Sequence, residues 1–281
     1  MIEMNKKLAL VYLQTVATLV LATHGYAQDA EPSPWVGKEK LLGAVEKMFG
    51  DPPGMKRLDE QSRVWTDRKA GRVVVDGYVA LRAGQLEMLA CPVGTKEHES
   101  VVAVFAKAHV VHTGLLAIGA KEGTPVIWEP SYKAPTGSEI QVIALWKDAD
   151  GKKHNIDTRK WVHELGTEKG TLGTNFIFAG SKFWKDPDTG EERYLAESGD
   201  LICVSNFATA TLDVPLNSSQ VNSGLMFAAM TDAIPPEGTP IRLVLQLVDG
   251  KAQPADTSAK AEAEKSLLDV ASEPKSGESP K

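Results

Sequence analysis

Cysteine is scarce in this chain: the 281 residues hold two, Cys91 and Cys203, so one intramolecular pairing is the most that disulfide chemistry can supply. Positive charge is short as well. Lys and Arg number 31 against 37 Asp and Glu, a formal net charge of −6. That balance argues against nucleic acid or an anionic membrane as partner, because both reward clustered cations. Beyond the N-terminal segment no apolar run approaches the length of a membrane-spanning helix, so no integral membrane segment is expected after it. There is no Gly-x-Ser-x-Gly elbow for a hydrolytic serine. No phosphate loop appears either: Gly119-Ala120-Lys121-Glu122-Gly123 follows a helical stretch, where such a loop would precede one. The turns Asp148-Ala149-Asp150-Gly151 and Asp186-Pro187-Asp188-Thr189-Gly190 lack the far acidic ligand of a calcium loop and read as hairpin turns.

What is present begins with an export signal. Lys6 and Lys7 form its positive end, Leu8 to Ala22 its apolar run and Gly25-Tyr26-Ala27 a small-residue cleavage site, giving a signal peptide over 1–27. Its removal takes Glu3, Lys6 and Lys7 and makes the mature chain one charge more acidic. Residues 28–62 hold a polar, proline-containing linker, Gln28 to Trp35, and an amphipathic helix. In Gly37 to Phe49 the side chains of Leu41, Leu42, Val45, Met48 and Phe49 fall on one stripe, and Asp51-Pro52-Pro53-Gly54 ends it. The body follows over 63–248. Beyond it, 249–281 is rich in Lys, Ala, Glu, Ser and Pro and reads as a disordered tail.

Within the body, Val64-Trp65 and Val73 to Leu81 read as strands. Leu86 to Cys91 reads as another, with Glu97 to Phe105 as its hairpin partner across the break at Pro92 and Gly94. Lys107 to Ile118 fits a helix stopped by Gly119, with Ala108, Val111, His112, Leu115 and Ile118 on one face. Gly123-Thr124-Pro125 leads into a further strand. Ile140 to Trp146, His154 to Ile156, Asn175 to Trp184 and Glu192 to Ala196 complete an α+β pattern, mostly β-sheet with a few short helices.

A slide of the chain by 115 positions lays Leu201 on Leu86 and Glu237-Gly238-Thr239-Pro240 on Glu122-Gly123-Thr124-Pro125 without a gap. Strand, irregular segment, helix and a further strand recur in that order. The pattern is that of an internal duplication of a β-hairpin/helix/β unit, with pseudo-repeats at about 72–146 and 175–248.

One cluster of chemistry-bearing residues stands out: Cys91, His98, Glu99, His109 and His112. Two histidines three apart on a helix lie on neighbouring positions of one face, and thiolate with imidazole suits zinc or copper. Against this, no spacing matches a known zinc signature. His98 and Glu99 would point to opposite faces of a strand. Cys91 with His98 or His112 could instead form a nucleophile and base, unless Cys91 is bridged to Cys203. The cysteines admit either that bridge, in an oxidising compartment, or two buried free thiols. Trp128, Trp146, Trp161 and Trp184 lie at or beyond strand ends, where rings fill a core or meet a ligand.

The pieces ACPVGTKEHESVVAV, VHTGLLAIGAKEGTPV, FAGSKFWKD, GDLICVSNF, LDVPLNSS and IPPEGTPIRLVL resemble the YdjY-domain proteins, in particular the exported form found in planctomycete bacteria. The resemblance covers about Val64 to Leu247 and implies no specific activity. An iron–sulfur cluster, which a ferredoxin-like label would suggest, needs more cysteines than Cys91 and Cys203. The expectation is an exported domain, periplasmic or extracellular, that acts without catalysis as a binding or structural module of the cell envelope, with an envelope component or protein as partner and no cofactor. The alternative is a metal- or thiol-dependent site at Cys91, His98, His109 and His112.

Overall fold

The computed structural model describes residues 34–248 except 169, 220, 222 and 223. The signal peptide and the C-terminal tail expected from the sequence lie outside the described residues.

Among the described residues, two α-helices and fifteen strands follow in chain order. The first half contains α1 (Glu39–Met48), β1 (Lys56–Arg57), β2 (Val64–Asp67), β3 (Arg72–Val79), β4 (Met88–Pro92), β5 (Ser100–Val104), α2 (Ala108–Ala117), β6 (Glu139–Lys147) and β7 (Lys153–Asp157). The second contains β8 (Val162–Glu164), β9 (Phe176–Phe178), β10 (Phe183–Lys185), β11 (Glu192–Tyr194), β12 (Ile202–Cys203), β13 (Leu212–Asp213), β14 (Phe227–Ala229) and β15 (Pro240–Leu247).

Eight strands close into a barrel-like sheet in the order β3, β15, β6, β9, β13, β12, β4, β5, with β5 returning to β3. Its core is made by aliphatic and aromatic residues that alternate along the strands, among them Val73, Val75, Val102, Val104, Ile140, Val142, Phe176, Phe178, Leu243 and Leu245. The α2 stripe of Ala108, Val111, Leu115 and Ile118 packs into the same core. Closure brings β3 and β5 so near that a Cβ on Gly77 would stand 2.2 Å from the Ala103 carbonyl oxygen, which is why only glycine fits there. A second apolar layer forms where Val45 of α1 and Phe49 at its C-cap meet Trp35, Tyr78, Val93, Ala103 and Phe105. Each large side chain buried there contributes about 1.5–3 kcal/mol, so the amphipathic helix is part of the body, and Trp35 belongs to its core rather than to a linker.

The end of α1 is fixed by charge. Asp76 and Arg242 face each other across β3 and β15, at 2.6 Å from Arg242 Nε to Asp76 Oδ1, and Arg63 Nη2 stands 2.6 Å from Asp76 Oδ2. All three are buried. The two guanidinium groups also donate to the carbonyl oxygens of Phe49 and Gly50, each at 2.7 Å. There they meet the negative end of the helix dipole.

Several strand expectations are corrected. β4 and β5 are parallel, Met88 beside Ser100 and Ala90 beside Val102, so the segment from Leu86 to Phe105 is no hairpin. A 3-10 turn over Glu97–Glu99 carries the chain back to the start of the new strand, a reversal that alternation along a strand cannot announce. Gly123-Thr124-Pro125 enters no strand but a ribbon tied by Thr124 and Thr136 and by Ile127 and Lys133, and the strand begins only at Glu139. Asn175 to Trp184 breaks into β9 and β10 at Gly180 and Ser181, both with positive φ. Where the slide by 115 positions places a second helix, the described residues contain β14 instead.

The strand pairing nevertheless has a two-fold pattern. The two parallel pairs are β4 with β5 and β12 with β13, and they flank the antiparallel seam between β4 and β12. β3 and β9 lie outside them, and β15 and β6 meet antiparallel on the far side.

Candidate functional site

The five residues singled out in the first half do not converge. Cys91 is buried in β4, and burial pushes its thiol up despite help from Ser100 and Thr95. His98 sits on the 3-10 turn with 78% of its side chain exposed. Glu99 pairs with Lys96 at 3.5 Å. His109 Nδ1 lies 2.5 Å from Glu197 Oε1, and His112 turns inward to Tyr194. Among the described residues no three His, Cys, Asp or Glu side chains are placed to hold a metal ion. The zinc or copper reading of Cys91, His98, His109 and His112 therefore has no geometric basis here.

Of the two states the cysteines admitted, the structure has the second: Cys91 and Cys203 are both free and buried. The residue facing Cys203 across β4 and β12 is Met88, and the Cys203 Sγ lies 3.4 Å from its Sδ. Burial pushes the Cys203 thiol up well above its ordinary value. In both cysteines, burial favours the protonated thiol over the reactive thiolate.

His109 has a structural task. Glu197 accepts from the backbone N–H groups of Ala108 and His109 at 3.0 and 2.9 Å, capping the N-terminus of α2, which has no side-chain cap of its own. Burial works to raise the Glu197 carboxyl. The His109 ring and the two N–H groups outweigh it, so its pKa is lowered.

One turn further on, His112 is the centre of a buried polar chain. Its Nδ1 lies 2.9 Å from the Tyr194 hydroxyl, which also contacts the Gly180 carbonyl oxygen at 3.1 Å and Thr211 Oγ1 at 3.0 Å. Its Nε2 lies 3.1 Å from Glu122 Oε2. Burial lowers the His112 pKa and Glu122 pulls it back only in part. Phe178 packs edge-on against it at 5.0 Å. This histidine is held by packing and hydrogen bonds.

The surface over this chain is apolar. The ribbon of β10 and β11 carries Phe183, 63% exposed, and Trp184, 43% exposed. Phe183 lies across from Tyr194 in the ribbon register with ring centres 5.0 Å apart. Beside it opens a cavity of about 770 Å³ lined by Lys107, His109, Phe183, Tyr194, Leu195 and Glu197 among others. Of the four tryptophans at strand ends, Trp161 is buried and Trp146 stacks on His154 at 5.0 Å, whereas Trp128 and Trp184 face outward.

A second polar centre lies in the other half, where the sequence marked nothing. Asp213 on β13 is fully buried. Its Oδ1 accepts from Asn206 Nδ2 at 2.9 Å and from the Val214 N–H at 2.8 Å, while its Oδ2 has no partner among the described residues. Burial pushes its pKa up to about 7, opposed by the bond from Asn206 and reinforced by the charge of Asp200. Asp200 itself pairs with Lys96 Nζ at 3.0 Å. The only forewarning was local: an acid inside the apolar run Leu212-Asp213-Val214.

No curated protein and no solved structure matches the chain. The family model of the YdjY domain matches residues 64–246, from the start of β2 into β15. The chain belongs to the YdjY domain family.

Proposed function

We propose that this protein is an exported, non-catalytic binding module of the cell envelope, acting in the periplasm or outside the cell, whose partner docks on the β10 and β11 ribbon. One observation carries the reading: Phe183 stands exposed on a short ribbon at an open cavity that it lines, while Trp184, the next strand residue, is exposed on the other face of the ribbon. Aromatic rings with a polar rim are the usual anchors of protein recognition. The ionisable groups around them are engaged in fold-holding pairs, as with His109 and Glu197 or His112 and Tyr194, which leaves the surface to bind rather than react. Export is supported by the charged and apolar N-terminal segment, Lys6 to Ala27. An internal duplication is supported by the two-fold pairing pattern, in which β4 and β12 hold corresponding places.

The test is capture from envelope extract by the wild-type protein and by a Phe183→Ser, Trp184→Ser double variant whose melting is unchanged. A component retained by the first and lost by the second supports the reading. Equal retention by both, or no retention, overturns it.

A further inference from the structure

Lys96, in the turn between β4 and β5, is a single cation set among three acids. Its Nζ stands 3.0 Å from Asp200 Oδ1, 3.5 Å from Glu99 Oε1 and 3.7 Å from Glu87 Oε2. Phe207 covers another side, its ring centre 4.2 Å from Nζ. Side-chain exposure is 24% at Lys96 and 5% at Asp200, so the two groups meet largely out of water.

The backbone makes way for this approach. Gly199, just before Asp200, has φ +133, and a Cβ built on it would stand 2.6 Å from Lys96 Cγ and 2.8 Å from its Cδ. The stem of the lysine therefore crosses a residue that has no side chain. At its root Lys96 is pinned through its carbonyl oxygen, which accepts from the Glu99 N–H at 3.2 Å and from Ser100 Oγ at 2.7 Å. The two oxygens of Asp200 are treated differently. Oδ2 accepts from Thr209 Oγ1. Oδ1 is buried and has no hydrogen-bond partner among the described residues, so the approach of Nζ to it at 3.0 Å is close without being aligned as a hydrogen bond.

We propose that Lys96 and Asp200 condense into an intramolecular amide, a covalent cross-link between the β4–β5 turn and the approach to β12. Burial works to lower the Lys96 pKa, but the charges of Asp200, Glu99 and Glu87 outweigh it, so the lysine starts as an ammonium. Glu87 is the base that takes one of its protons. Burial and then the charge of Glu99 raise the Glu87 carboxyl, which makes it a better proton acceptor than an ordinary carboxylate. The freed amine attacks Asp200 Cγ. The Nζ–Cγ bond forms and the Cγ–Oδ1 bond breaks, and Oδ1 leaves as water with one proton from Nζ and the one held by Glu87. Oδ2 remains as the amide oxygen under the Thr209 hydroxyl. Groups oriented in this way reach effective concentrations of about 10⁵–10⁸ M, which offsets the preference of a free amine and acid to stay apart in water. The bond ties residue 96 to residue 200 in a chain whose two cysteines are unpaired, and a cross-link over a long loop stabilises by restricting the unfolded chain.

Intact-mass spectrometry of the purified protein tests this, with the N-terminus determined on the same sample. The wild type should weigh one water less than its sequence, and Lys96→Arg should have its full sequence mass. A digest of the wild type should contain one branched peptide joining Lys96 to Asp200. Glu87→Gln should couple about a hundredfold more slowly or worse, as expected on loss of a general base. A wild type of full mass, a loss of water traced to other residues, or undiminished coupling in Glu87→Gln overturns the proposal. Should Glu87→Gln fail to fold, the wild-type mass and its branched peptide decide.

Discussion

Asp76 and Asp213 are both buried carboxylates on barrel strands, and they live under opposite terms. Asp76 has two guanidinium partners, Arg63 and Arg242, which in turn grip the end of α1. Asp213 has an amide and one backbone N–H, and no cation among the described residues. Burial of a charge without a counter-charge disfavours the ionised form, and Asp213 accordingly rises to about 7. The first is a clasp that holds a helix to a sheet. The second is a buried acid held by neutral donors, tied through Asn206 to Val214 and Ser218.

The largest effect should come from breaking the clasp. Asp76→Ala leaves two buried guanidinium groups without their acid and should cost about 5 kcal/mol in denaturant unfolding, the upper end for a broken buried pair. A loss under about 1 kcal/mol would mean that the carbonyl oxygens of Phe49 and Gly50 suffice. Next comes pH. Asp213 holds a proton in the folded state up to about pH 7 and releases it near pH 4 when unfolded. Its contribution is therefore fully present below about pH 4 and is lost as pH rises to 7, a fall on the order of 4 kcal/mol. Asp213→Asn should flatten that part of the stability curve, and an unchanged slope would place the titration elsewhere.

Asn206→Ala sharpens the contrast between an acid held by cations and one held by an amide. It orphans the Ser218 N–H, leaves Asp213 Oδ1 with the Val214 N–H alone, and should cost about 2 kcal/mol. It should also move the Asp213 pKa, read by carboxyl NMR, further upward. Smallest is Tyr132→Phe, which removes one long hydrogen bond. Stability should change by less than about 0.5 kcal/mol, while hydrogen exchange at the Asn206 amide quickens if Tyr132 shields the centre.

Much of the chain was legible before its structure. The stripe Ala108, Val111, His112, Leu115 and Ile118 is the buried face of α2, and Gly119 follows it with φ +89. Asp148 to Gly151 and Asp186 to Gly190 join hairpins. The candidate site was not legible. His98, His109 and His112 are close in sequence but face solvent, Glu197 and Tyr194 in turn. His112 owes its surroundings to residues about 80 positions away.

Sequence alone determined the local conformations and the faces they bury, because the period of apolar side chains follows from how strands and helices point them. It also carried the family signature. Only the tertiary structure decided that β4 and β5 run parallel, that β3 closes on β5 at Gly77, and that Cys203 faces Met88 rather than a disulfide partner. Partners in a sheet are chosen by whole-chain packing, and the proton on Asp213 answers to water removed by segments far from it. Neither quantity is written in the spacing of neighbouring residues.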